Sequence, residues 1–259
     1  MNVFRRLLLL TAATALGAHA APDAQRILAA SDAVRNPGRP FSVTVVLTEF
    51  QAGKRVDGST MVTYSRTLEE GAQFASLVRF VAPARDAGKL MLKNGNDLWF
   101  FDPSTKASVR LSPQQRLMGQ ASNGDVVTVN LARDYRAALQ AEEDVQDGER
   151  RNRRAYRLRL AAATPDATYS DIDLWVDAAS SHPIKGLFYA DSGRLLKTVY
   201  YRRFQQQLGA ERPTELVIID GVNPQSVTLM RLSDYAQKRI PVSWFQRDYL
   251  PRFQPEDQE

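Results

Sequence analysis

The chain of 259 residues contains no cysteine, which rules out disulfide staples, thiol catalysis and cysteine-ligated zinc. Histidine is nearly as scarce: of the two, His19 lies near the N-terminus and His182 stands before Pro183. A serine hydrolase needs a histidine held beside its nucleophile, and the G-x-S-x-G elbow is missing, so His182 reads as a turn residue. Long apolar runs are absent as well. Leu7 to Gly17 spans eleven residues, about half of the roughly twenty that a membrane-crossing helix requires. That run follows Arg5 and Arg6 and precedes Ala18-His19-Ala20, the three-part layout of a secretion signal cleaved after Ala20. Without a cysteine there is no lipid-attachment site behind it, and a soluble exported protein is expected. Strong charge is lacking too. Removing Arg5 and Arg6 from the 34 basic residues leaves 32 against 29 acids, too even a balance for a nucleic-acid-binding protein.

What is present is a succession of strand patterns. Asp23 to Val34 suits a short amphipathic helix that ends at Asn36-Pro37-Gly38. Phe41 to Phe50, Thr60 to Leu68 and Phe74 to Val81 alternate apolar and polar residues between polar turns, the spacing of an antiparallel sheet that curls. Gly88 to Leu111 reads as two hairpins, turned first at Asn94-Gly95, which supplies positive φ angles, and then at Asp102-Pro103-Ser104. Strands resume at Arg154–Ala161, Tyr169–Val176, Ile184–Ala190, Leu195–Phe204, Glu215–Asp220 and Ser226–Leu232. Between the two groups, 112–145 is expected to be a helical insertion, because Leu131, Tyr135, Ala138 and Leu139 recur at helical spacing. Residues 251–259 are expected to form a mobile tail. The predicted fold is mainly β with some α: a single-domain, incomplete antiparallel β-barrel of about eleven strands over residues 21–259, with helices as a lid or plug over its concave face.

Few residues offer chemistry. Asp171, Asp173 and Asp177 share one face of a strand, a pattern that fits either a divalent cation or a solvated outer surface. Arg150-Arg151-Asn152-Arg153-Arg154 reads as a solvated loop or as a contact for anionic head groups. The larger inventory is apolar. Strand alternation puts Leu47, Val62, Tyr64, Leu92, Phe100, Leu158 and Leu174 on the concave face, and Leu117, Met118 and Tyr135 reach it from the insertion. Such a face is filled either by its own side chains or by a ligand.

Four motifs carry a resemblance. The hairpin has Gly88-Lys89 followed by Leu98-Trp99, Phe101 and Pro103. The second half has Trp175-x-Asp177, then Pro183-x-Lys185 with Tyr189, then Gly193-x-Leu195-x-Lys197-Thr198. The chain resembles the outer-membrane lipoprotein-sorting proteins of the LolA/LolB type, in the branch with an LW-x-F-x-P hairpin. The resemblance covers most of 23–232, and none of its motifs is catalytic. It implies a curved sheet with an apolar cavity that shields acyl chains across the periplasm, acting without enzymatic activity, metal or cofactor. It implies lipid or lipoprotein acyl chains as cargo, with an inner-membrane RND-type exporter and an outer-membrane acceptor as candidate partners. A monomer that binds no nucleic acid is expected, and a non-enzymatic envelope sensor or scaffold on the same fold is the alternative.

Overall fold

The structure is a computed structural model and describes residues 23–69, 73–95, 97–164 and 167–254. The export signal read at 1–20 and the end of the tail, 255–259, lie outside the described residues. The chain runs α1 (Ala24–Arg35), β1 (Phe41–Gln51), β2 (Lys54–Thr67), β3 (Phe74–Ala82), β4 (Leu90–Asn94), β5 (Asp97–Asp102) and β6 (Ala107–Arg110). A short hairpin follows, β7 (Arg116–Met118) and β8 (Ala121–Ser122), then two single helical turns, α2 (Asn123–Val126) and α3 (Leu131–Asp134). The second half is β9 (Tyr135–Gln146), β10 (Asn152–Ala162), β11 (Asp171–Asp177), β12 (Pro183–Tyr189), β13 (Leu195–Gln207), β14 (Ala210–Asp220) and β15 (Ser226–Gln237), ending in 3-10 turns at Val242–Phe245 and Arg247–Arg252.

Thirteen strands form one antiparallel sheet in the order β6-β5-β4-β3-β2-β1-β15-β14-β13-β12-β11-β10-β9, and β7 pairs only with β8. The two meanders meet where β1 pairs with β15, and among the described residues β6 and β9 are unpaired edges, so the curled sheet does not close. Both hairpin turns follow their chemistry. Gly95 adopts a φ of +56°, and the Asp102 Oδ1 accepts from the Ser104 backbone N–H at 2.9 Å.

The expected helical insertion at 112–145 is corrected. Only α2 and α3, four residues each, are helical within it, and Tyr135–Gln146 is an edge strand. Its Ala-, Gln- and Glu-rich sequence favours a helix locally, but pairing with β10 overrides that preference. Arg154 reaches Glu142 at 2.9 Å and Asp144 at 3.7 Å across the ladder, so acids of this strand face the basic run beside them. Arg151 and Arg153 both reach Asp147 at 3.2 Å.

The core occupies the concave side. Val43, Val45 and Leu47 of β1, Met61 of β2, Val78 of β3, Leu158 and Leu160 of β10, and Ile172 and Leu174 of β11 pack there against Leu28 of α1. A second layer covers the convex side of β2–β5. There Tyr64, Leu77, Leu90, Leu92 and Phe101 are buried under Ile240, Trp244, Phe245 and Leu250. The mobile tail expected from residue 251 is therefore corrected at its start: Pro251 and Arg252 belong to the last 3-10 turn, and the Phe253 ring packs edge-on against Trp244 at 4.6 Å. Among the described residues no helix is long and apolar enough to cross a membrane.

Candidate functional site

The concave face carries a cavity of about 150 Å³. Its floor comes from alternate residues of five adjacent strands: Val43 and Val45 of β1, Met230 and Leu232 of β15, Leu216 and Ile218 of β14, Val199 and Tyr201 of β13, and Phe188 of β12. Alternation brings these side chains to one side because each neighbouring strand contributes residues of the same parity. The roof is the segment Gly124 to Leu131 with Tyr135, flanked by Arg35 and Asn36 at the end of α1 and by Thr168 and Tyr169.

The roof is fastened by polar contacts as well as by Val126, Val127 and Leu131, which belong to the buried core. At one end Gln120 donates its backbone N–H to the Thr228 hydroxyl at 2.7 Å. Gly119 permits that approach: its φ is +53°, and a Cβ there would lie 2.3 Å from Thr228 Oγ1. Gly124 is equally constrained, since its Cβ would fall 2.2 Å from Thr168 Oγ1. These two glycines are points of close contact. In the middle, Thr63 donates to the Val126 carbonyl at 3.1 Å. At the far end Arg35 and Asn36 both donate to the Val129 carbonyl at 2.9 Å.

Beneath one end lies a buried network. The Lys197 ammonium pairs with Asp125 and donates to the Gln120 carbonyl at 3.3 Å. The Tyr169 hydroxyl donates to Asp125 Oδ1 at 2.8 Å, and the Ser122 backbone N–H donates to Asp125 Oδ2 at 2.7 Å. The Tyr135 hydroxyl donates to the Tyr169 carbonyl at 3.0 Å and accepts the Tyr169 N–H at 3.1 Å. Burial lowers the pKa of Lys197, against the opposing pull of Asp125. Burial also raises both tyrosines above their usual range, keeping them protonated donors.

α1 is joined to the roof through Asp32, which accepts from the Ala132 N–H at 2.7 Å and sits 3.4 Å from Arg35. Burial pushes Asp32 up to about 6, against the lowering effect of Arg35. Its folded-state pKa thus lies above the unfolded value, so the folded protein holds a proton there that the unfolded chain releases. Stability from this group is fully present below about pH 4 and is lost as pH rises through about 6. Asp32→Asn is therefore expected to gain on the wild type by about 2–3 kcal/mol between pH 4 and 7.5. Urea melts across that range check this, and parallel curves for the two proteins would show that Asp32 is not the source.

Of the ten residues placed on the concave face from sequence, only Tyr135 lines this cavity. Leu47, Leu158 and Leu174 belong to the packed core around it, with Phe100, Leu117 and Met118 partly buried against that core. Val62, Tyr64 and Leu92 are corrected to the opposite face, beneath the C-terminal layer. Alternation was read correctly along β2 but with the wrong face inward, since Met61 and Thr63 pair with Val45 and Val43 of the inner row. Sequence reasoning missed Lys197, Asp125 and Arg35. Of these, Lys197 stands within a motif of the resemblance.

The other candidates resolve into structural roles. Asp173, 4% exposed, accepts from Arg157 at 3.0 Å and Arg159 at 3.2 Å, and Asp177 caps a turn by accepting from the Ala179 and Ser180 N–H groups. His182 stacks on Phe204 at 4.1 Å and lies 3.6 Å from Glu211. Among the described residues no group of three or more metal-ligating side chains is arranged to hold an ion.

A family model described as an uncharacterized-protein-like family matches residues 72–252. No curated protein matches. A LolA superfamily protein from Nitrosomonas europaea is 34% identical, with 88% of this chain and 100% of that one covered and a TM-score of 0.79. A candidate outer membrane lipoprotein-sorting protein domain from Vibrio parahaemolyticus is 20% identical, covering 88% of this chain and 98% of that one at a TM-score of 0.74. A DUF1329 family protein from Desulfovibrio piger is 22% identical, with 88% and 97% covered at a TM-score of 0.74. These last two share the fold.

Proposed function

The chain belongs to the LolA superfamily, and on that footing we propose that it is a periplasmic carrier sheltering the acyl chains of a lipid or lipoprotein between the inner and outer membranes. The observation that supports this is the apolar cavity under a short irregular roof tied to the sheet by hydrogen bonds. A methylene moved from water into such a site gains roughly 0.8 kcal/mol, enough for a few carbons to hold a lipid in transit. The carrier must also release its load, which requires a cover that can exchange its own apolar contacts for those of the lipid.

The cavity of about 150 Å³ is smaller than the roughly 300–1,000 Å³ typical of ligand pockets. A full acyl chain therefore requires the roof to lift. β9 is held along its length by β10, so the moving part is confined to 112–134. On loading with a fluorescent fatty acid, amides in 112–134 are expected to change hydrogen-exchange protection while those of 135–146 keep theirs. Unchanged exchange throughout 112–134 would eliminate the gate. Lipid extraction of protein purified from cells tests the carrier itself: no copurified lipid, together with no fatty-acid binding, would sink it.

An inner-membrane RND-type exporter and an outer-membrane acceptor are the partners such a carrier needs. The small resting cavity gives some support to the second reading, a non-enzymatic envelope sensor or scaffold. In that case the roof stays shut and the unpaired edge of β9 offers a surface for strand addition.

A further inference from the structure

Lys197, 2% exposed, lies behind the cavity-lining residues Asp125, Tyr169 and Phe188. Its ammonium contacts two groups that belong to the roof, the Asp125 carboxylate and the Gln120 carbonyl, and lies over the rings of Tyr169 at 4.8 Å and Phe188 at 5.7 Å. Tyr169 and Phe188 themselves line the cavity. When the roof lifts to admit an acyl chain, both oxygen partners leave with it, while Lys197 stays on β13. An ammonium stranded among aromatic rings is strongly unfavourable unless another anion replaces the lost one. Asp125 travels without the same loss, because the Ser122 N–H that bonds it belongs to the same segment. Arg35, which lines the cavity, keeps Asp32 of its own helix 3.4 Å away and makes no such demand.

We propose that the cargo is an acidic amphiphile, whose carboxylate or phosphate replaces Asp125 on Lys197 while its acyl chain fills the cavity. This rests on the carrier reading and narrows its cargo. Acyl groups joined to a protein through esters and amides carry no anion to satisfy Lys197, whereas a free fatty acid or an acidic phospholipid does. Exchange of one carboxylate for another also couples the two events, since the headgroup takes the place that held the roof down. The Tyr169 hydroxyl, 2.8 Å from Asp125 Oδ1, remains as a neutral donor for the incoming oxygen.

Calorimetric titration of the full chain with dodecanoate and with dodecanol tests this, with inorganic phosphate as a headgroup-only probe. Dodecanoate is expected to bind about tenfold more tightly than dodecanol. Lys197→Gln is expected to bring that ratio close to one while dodecanol still binds. Asp125→Asn, which removes the competing carboxylate, is expected to raise the ratio, and it keeps the test decisive if the Lys197 variant fails to fold. Equal binding of the two amphiphiles by the wild type, or a ratio unmoved by Lys197→Gln, overturns the proposal and leaves the carrier reading standing. Failure to bind either amphiphile overturns the carrier reading itself. Inorganic phosphate binding as tightly as dodecanoate overturns the amphiphile assignment in favour of a small-anion site.

Discussion

Trp244→Ala is expected to destabilise the protein by about 3–5 kcal/mol, the usual result of emptying a large buried aromatic position. Trp244 is 3% exposed and makes edge-on contacts with Tyr64 at 5.2 Å and Phe253 at 4.6 Å. Its ring lies in the layer over the convex side of β2–β5, where Leu77, Leu90 and Leu92 are buried. Removing it opens that layer along its length, because residues 240–254 are held by these apolar contacts and by hydrogen bonds such as Asn94 Nδ2 to the Phe245 carbonyl at 2.9 Å. At roughly 2–4 °C per kcal/mol for a chain of this size, the midpoint is expected to fall by about 10 °C. Fatty-acid binding, measured below the new midpoint, is expected to hold, because the cavity opens on the other face. A variant that melts like the wild type would show that the C-terminal layer contributes little to the fold.

The second large effect is expected inside the cavity. Val43, 6% exposed, lines the floor on β1, and Val43→Trp would occupy the space an acyl chain needs. Excluding three or four methylenes forfeits about 3 kcal/mol, so fluorescent fatty-acid affinity is expected to fall about a hundredfold. Overfilling a packed site costs about 1–3 kcal/mol of stability, which leaves the sheet folded and visible by circular dichroism. Leu92→Ala makes the matched control. It lies on the convex side, so it is expected to lower stability while leaving affinity unchanged, whereas the alternation read from sequence alone would have made it a cavity residue. Normal binding by a folded Val43→Trp protein would place the ligand elsewhere.

The repeated strand patterns, the turn chemistry of Asn94-Gly95 and Asp102-Pro103-Ser104, and the motifs around Trp99, Trp175 and Lys197 were enough to specify a curled antiparallel sheet and its family. Those signals are local, since period-two alternation and positive-φ turns depend on residues a few positions apart. Two decisions belonged to the tertiary structure. The first was which face of β2–β5 points inward. Met61 opposes Val62, Met91 opposes Leu92, and Phe100 opposes Phe101, so both faces are apolar, and only the docking of Trp244 and Phe245 on one side shows which is which. The second was the state of Tyr135–Gln146, whose composition suits a helix and whose cross-strand partners on β10 hold it as a strand. The cavity network was out of reach for the same reason. Lys197 and Asp125 stand 72 positions apart, and a buried charge pair is created by the fold that brings its halves together, with no periodic trace of it left in the chain.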